Sequence, residues 1–226
     1  MTHPMLQPLR GGLIVSCQAY PGEPMRHPET MAQVGAAAVA GGAVAVRVQG
    51  VEDISLVADR VDVPVIGIWK DGDAGVFITP TLRHCRAVLA AGADILALDG
   101  TLRERPDGLT LAETVGRIRE ESEAPIMADC DSLEAAVTAA EAGVEIIGTT
   151  LAGYTPARAK TDGPDLELLA QLVQELPGVA VVAEGRIHTP AQARAAADTG
   201  AFAVVVGTAI THPSTITGWF DVAVRG

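Results

Sequence analysis

The chain has 226 residues, 48% of them apolar and only 3% aromatic, which is enough Ala, Val, Ile and Leu to build one sizeable core. Its formal net charge of −12, from 16 Lys and Arg against 28 Asp and Glu, excludes nucleic-acid binding by phosphate neutralisation, which needs clustered cations. An anionic ligand must instead meet a local site made of backbone amides at helix N-termini and one or two arginines.

Short runs rich in Val, Ile and Leu recur along the chain, as expected of strands buried on both faces of a parallel sheet. In order they are LIVSCQ (13–18), AVAVRVQ (43–49), PVIGIWK (64–70), ILALDG (95–100), PIMADC (125–130), EIIGTT (145–150), VAVVAEG (179–185) and FAVVVGTA (202–209). Helical segments lie between them, among them HPETMAQVGAAAVAGG, TLRHCRAVLAAGA, SLEAAVTAAEAGV and TPAQARAAADTGA, several opening on a capping Thr or Ser and closing near Gly. The punctuation before the next strand repeats, as GGA at 41–43, AGAD at 91–94, EAGVE at 141–145 and TGAF at 199–202.

Eight strand–helix units of one pattern predict an α/β fold, a single (β/α)8 TIM barrel spanning 1–226 as one domain, since no stretch has the composition of a linker. A doubly wound sheet is the competing architecture, but the chain carries neither G-x-G-x-x-G nor a Walker motif.

In such barrels the active site sits at the C-terminal ends of the strands. Here nearly every run closes on a polar residue: Gln18, then Arg47 and Gln49, Lys70, Asp99, Asp129, Thr149 and Thr150, and Glu184, with Gly207 and Thr208 at the eighth. Strand ends also turn into solvent, where such residues are ordinary. Convergence of the whole set on one ring favours a site.

Lys70 follows the apolar IGIW, so desolvation should lower its pKa and suit it to proton transfer; its alternative role is an ion pair with Glu184 or an aspartate. Glu184 is the second catalytic candidate, or else the neutraliser of Arg186 or Arg47. Asp129 is a candidate substrate contact because Asp131 is better placed to cap the helix near Ser132. The turns EGRI (184–187) and GTAI (207–210) suit phosphate, with Gly185, Arg186, Gly207 and Thr208 as contributors.

The five histidines and three cysteines form no metal-binding spacing, so no metal is expected. Cys17, Cys85 and Cys130, odd in number and widely spaced, indicate a reducing compartment and a cytoplasmic protein. The N-terminal MTHPMLQPLRGG lacks a signal-peptide pattern, and no apolar run approaches the roughly 20 residues that span a bilayer. The tail ITGWFDVAV has two destinations, the barrel itself or a partner subunit in a homodimer.

The segments GGLIVSCQA, Arg47–Gly50, IGIWK, VFITPT, ADILALDGT, MADCDS, IGTTLAGYT, AEGRIHTP and VVVGTAITHP occur in this order, and through them the chain resembles the N-acetylmannosamine-6-phosphate 2-epimerase family over roughly residues 11–220. The resemblance implies a (β/α)8 barrel, bacterial catabolism of sialic acid and amino sugars, a small sugar phosphate as the substrate, and no metal or organic cofactor. It assigns proton transfer at C2 to Lys70 and Glu184 and substrate contacts to Gln18, Arg47 and Asp129. Three positions depart from the family pattern: His212 stands for a usual arginine, Gln49 for an asparagine and Ala152 for a serine. Another phosphosugar epimerase or lyase on the same barrel, or a sugar-phosphate-binding subunit without catalysis, are the alternatives that a substrate panel and proton exchange at C2 separate.

Overall fold

Alternation along the strands divides the apolar residues between two cores. In the computed structural model, which describes residues 3–226, the eight strands are β1 (Leu13–Cys17), β2 (Ala45–Gln49), β3 (Val65–Ile68), β4 (Ile95–Asp99), β5 (Ile126–Asp129), β6 (Ile146–Gly148), β7 (Ala180–Glu184) and β8 (Ala203–Val206). They run parallel in sequence order, and β8 pairs with β1 to close the barrel. Met1 and Thr2, which open the MTHPMLQPLRGG segment, lie outside the described residues.

One set of alternate positions, including Val46, Val48, Leu96, Leu98, Val181 and Val204, packs outward against the helices. The other set, including Ile14, Ala45, Ile66, Ile95, Met127 and Val205, fills the interior. Continuing the inward parity toward the C-terminal ends reaches Ser16 and Gln18, Arg47 and Gln49, Lys70, Asp99, Asp129, Thr150, Glu184 and Gly207. Each inward row therefore starts apolar and ends polar or at glycine. A 3-10 turn at Pro4–Leu9 closes the opposite end, with Leu6 and Leu9 buried in the interior cluster beside Phe202.

The helices are α1 (Pro28–Ala40), α2 (Val51–Ala58), α3 (Leu82–Ala90), α4 (Leu111–Arg119), α5 (Leu133–Glu141), α6 (Leu166–Glu175), α7 (Pro190–Asp198), α8 (Thr208–Thr211) and α9 (Pro213–Arg225). The repeated glycines end them by one device. Gly42, Gly92, Gly143 and Gly200 all take positive φ, from 91° to 102°. After α1, α3 and α5 the amide two residues past the cap donates back across the turn, as in Ala43 N–H to Ala38 O at 3.0 Å.

The strands are shorter than the apolar runs that signal them. Gln18, Lys70, Cys130, Thr149, Thr150 and Gly185 lie just beyond their strands at the mouth, the amides of Cys130 and Thr149 still donating to Gly148 O and Val182 O of the neighbouring strands. The eighth strand stops at Val206, and Thr208 begins α8 instead of extending the strand, because Gly207 at φ −111° and ψ −89° breaks the extended backbone. Ser132, not Asp131, caps α5: its Oγ accepts from Ala135 N–H at 3.2 Å.

The tail ITGWFDVAV forms most of α9, which buries no residue. Trp219 rests against the His188 ring at 4.8 Å, while Phe220, Val222 and Val224 are exposed. None of the described helices is long and apolar enough to cross a membrane.

Candidate active site

At the C-terminal mouth the inward side chains wall a cavity of about 770 Å³, lined among others by Gln18, Lys70, Thr150, Glu184, Gly207 and His212. Its floor is ionic. Arg47 and Asp129, both fully buried, form a two-pronged pair with Nη1–Oδ1 at 2.9 Å and Nη2–Oδ2 at 2.5 Å. Arg47 Nη1 also donates to Glu184 Oε2 at 2.7 Å, and Thr150 Oγ1 bridges Asp129 Oδ1 at 2.8 Å and Glu184 Oε2 at 3.0 Å. Gly148 makes room for this packing, since a Cβ there would meet Met127 Cε at 2.6 Å.

Glu184 thus pairs with Arg47, whereas Arg186 is engaged elsewhere. Burial pushes the Glu184 carboxyl above its ordinary pKa, with Arg47 opposing and Asp129 adding to the shift. Its backbone is fixed by Thr149, whose hydroxyl accepts from Glu184 N–H at 3.0 Å and donates to Glu184 O at 2.9 Å.

Lys70 makes no ion pair among the described residues, so the ion-pair alternative for it does not hold. Its Nζ lies 5.3 Å from the centre of the Tyr20 ring, close enough for a cation–π contact. Burial, reinforced by the nearby Arg47 cation, lowers its pKa to about 8, with Glu184 and Asp129 restraining the shift. Gln18 shares the wall, its Nε2 donating to Ser16 Oγ at 2.7 Å.

Gly185, Arg186, Gly207 and Thr208 border the same cavity. Among the described residues their four backbone amides donate to no protein acceptor, leaving N–H groups free at the turns after β7 and β8. The Arg186 side chain takes a different course from the one its sequence position suggests. It turns into the loop after β6, with Nε to Gly163 O at 3.0 Å, Nη1 to Ala152 O at 2.7 Å and Nη2 to Thr161 Oγ1 at 3.0 Å. Its backbone is left-handed, at φ 54°.

The three departures from the family pattern separate by location. Ala152 is buried in the outer core and does not line the cavity. Gln49 and His212 do line it. His212 is buried, with its ring 5.0 Å from Tyr20 and Nδ1 3.5 Å from Glu23 Oε1. Asp99 is consumed structurally, accepting from Thr101 N–H and Oγ1 and from Arg103 Nη2.

Tyr20, Arg26 and Arg103 also line the cavity and carry no strand-end signal. They come from loops, and Arg26 is held by Asp53 of α2 at 2.8 and 2.9 Å. Among the described residues no group of three or more His, Cys, Asp and Glu side chains is gathered to hold a metal ion.

Comparison with known proteins gives one answer. Residues 30–226 match the family model described as "Putative N-acetylmannosamine-6-phosphate epimerase". A "Putative N-acetylmannosamine-6-phosphate 2-epimerase" of Cutibacterium acnes is 64% identical over 225 residues, 99% of this chain and 98% of that protein. One of Synechococcus elongatus with the same description is 48% identical over 209 residues, 91% of this chain and 90% of that protein. The solved N-acetylmannosamine-6-phosphate 2-epimerase from Clostridium perfringens superposes with a TM-score of 0.93 at 39% identity, covering 98% of this chain and 96% of the other. Thiamine phosphate pyrophosphorylase from Pyrococcus furiosus, at 20% identity and a TM-score of 0.64, shares the fold alone.

Proposed function

The chain belongs to the N-acetylmannosamine-6-phosphate epimerase family, and from that premise we propose that Lys70 and Glu184 carry the proton transfers with which it interconverts N-acetylmannosamine 6-phosphate and N-acetylglucosamine 6-phosphate. The observation that carries this reading is a lysine without an ion-pair partner, with its pKa lowered to about 8, in one cavity with a buried carboxylate.

The C2 proton becomes acidic when the sugar ring opens and places an aldehyde at C1. Neutral Lys70 takes that proton, and the negative charge that develops on the enolate oxygen is stabilised by donors in the mouth. With a pKa near 8, roughly a tenth of Lys70 is neutral at pH 7. A proton returned to the other face of the planar intermediate gives the epimer. Glu184 serves as the second proton-transfer group or assists ring opening, and its Oε1, which takes no hydrogen bond among the described residues, is the oxygen open to the sugar.

Gln18 binds the sugar from the wall. Arg47 and Asp129 support it from below, holding Glu184 and Thr150 in place. The phosphate sits at the turns after β7 and β8, on the amides of Gly185, Arg186, Gly207 and Thr208, with the Arg186 side chain fixing the adjoining loop.

Two wider assignments follow from the same reading. The partner is a second copy of the chain, forming a homodimer through the exposed apolar side of α9 around Phe220, Val222 and Val224. Phe220→Ser should then convert a dimer to a monomer in sedimentation; a wild-type monomer overturns the assignment. The compartment is the cytoplasm, in keeping with three free thiols.

The deciding experiment mixes the protein with N-acetylmannosamine 6-phosphate in deuterium oxide and follows C2 by NMR. Deuterium at C2 of the epimer supports the assignment, and absence of both exchange and epimer overturns it. Lys70→Ala and Glu184→Ala should each lose most of kcat; a variant with wild-type kcat removes that residue from the chemistry.

A further inference from the structure

Lys70 leaves β3 beside a split in the barrel wall. β3 and β4 are in register at two residue pairs, Ile66 with Ile95 and Gly67 with Leu96, whereas β4 and β5 are in register at four. Above the split the returning segment 77–79 is wedged between them. On the β3 side, Thr79 N–H donates to Trp69 O at 2.8 Å and Trp69 N–H donates to Thr79 Oγ1 at 3.1 Å. On the β4 side, Thr79 Oγ1 donates to Ala97 O at 2.7 Å and Asp99 N–H donates to Ile78 O at 3.0 Å. Lys70 itself pairs with Ile78 of the wedge in an isolated antiparallel bridge.

The wedge holds a costly conformation. Thr79 has φ 45°, the left-handed region, which a β-branched residue rarely adopts, and it is fully buried. Arg105 locks it from behind, Nη2 donating to Thr79 O at 2.9 Å and Nη1 to Asp99 O at 2.8 Å. One hydroxyl thus accepts from Trp69, the residue that follows β3, and donates to β4, doing the work of the missing rung between them.

We propose that Thr79 is the positioning residue for Lys70: its hydroxyl and left-handed backbone set the end of β3 so that the lysine enters the cavity away from any carboxylate partner. The inference rests on Lys70 as a proton-transfer group and adds how the fold holds it there. A lysine released from this setting would reach solvent or Glu184, and its ammonium would be stabilised.

The test compares Thr79→Val, Thr79→Gly and Thr79→Ser with wild type and Lys70→Ala in the C2 exchange assay, from about pH 6 to about pH 10. Val and Gly both lack the hydroxyl, and Gly takes a positive φ without strain, so the pair guards against a variant that fails to fold. Both should lose about ten-fold or more in kcat with KM changed less than about three-fold, and the pH limb of Lys70 should move up toward the ordinary lysine value. Ser should stay within about three-fold of wild type with its limb in place. Folded Val and Gly variants with wild-type kcat and an unmoved limb, alongside an inactive Lys70→Ala, overturn the positioning role alone. An active Lys70→Ala overturns the role of Lys70 itself, and the positioning role with it.

Discussion

Arg47 lies on Asp129 beneath the cavity, its two terminal nitrogens 2.9 and 2.5 Å from the two carboxylate oxygens, with neither side chain open to solvent. The pair joins β2 to β5 across the interior, and Glu184 of β7 shares the same guanidinium at 2.7 Å. Removing one member of a buried pair leaves the other charge uncompensated, at a cost of about 3–5 kcal/mol. Arg47→Met should therefore lower the urea midpoint sharply. The double variant Arg47→Met with Asp129→Leu should recover part of the loss, because only Glu184 then remains without its cation. Equal midpoints for Arg47→Met and wild type would show that the pair contributes nothing.

Lys70 is held where its charge is disfavoured, so the fold gives up stability to keep it. Its folded pKa of about 8 lies below the ordinary lysine value of 10.5. Between these two values the unfolded chain binds more protons than the folded one, and stability rises with pH across that window. Lys70→Met should abolish that rise. At pH 7 it should also stabilise the protein, by about 1–3 kcal/mol, while removing activity. Thermal unfolding at two pH values checks both parts, and a Lys70→Met protein less stable than wild type would contradict them.

The same shift fixes the pH dependence of turnover. If neutral Lys70 removes the proton, kcat/KM should rise with pH through a midpoint near 8, the value for the free enzyme. Glu184→Gln removes a carboxylate that favours the ammonium, so in whatever activity remains the midpoint should move down. Initial rates at saturating and limiting substrate across the range decide it. A flat profile around pH 8 would count against Lys70.

Much of the barrel could be read from the chain because two local signals agree. The glycines at 42, 92, 143 and 200 end helices in the one backbone conformation that glycine favours, and the Val- and Ile-rich runs mark all eight strands. The polar ends of those runs converge because inward parity places Arg47, Lys70, Asp129 and Glu184 on one ring. Partners were less legible. Whether Glu184 pairs with Arg47 or Arg186 depends on the closure of strands 137 residues apart and on the left-handed turn at Arg186. Tyr20 and Arg26 come from a loop whose path follows no periodicity, and the role of Thr79 in VFITPT emerges only when the gap between β3 and β4 is seen.

Arg186 makes a prediction opposite to that of a direct phosphate ligand. Its guanidinium holds three acceptors of the loop between Ala152 and Gly163, beside the Tyr154 ring at 5.1 Å. Arg186→Met should loosen that loop and expose it to limited proteolysis even without substrate. The effect on KM should stay below about ten-fold, because the free amides remain. A loss of binding larger than that with an intact, protease-resistant loop would assign the guanidinium to the ligand.

The 3-10 turn that seats Leu6 and Leu9 in the barrel makes the site a well with a floor. Sugar and hydrogen then enter and leave by the same opening, and a hydrogen taken from C2 meets solvent only at the mouth. Isotope carried from C2 of the starting sugar to C2 of the product would mean that one group both takes and returns it. Two groups on opposite faces would give complete washout, so isotope retained at C2 bears directly on the division of labour between Lys70 and Glu184.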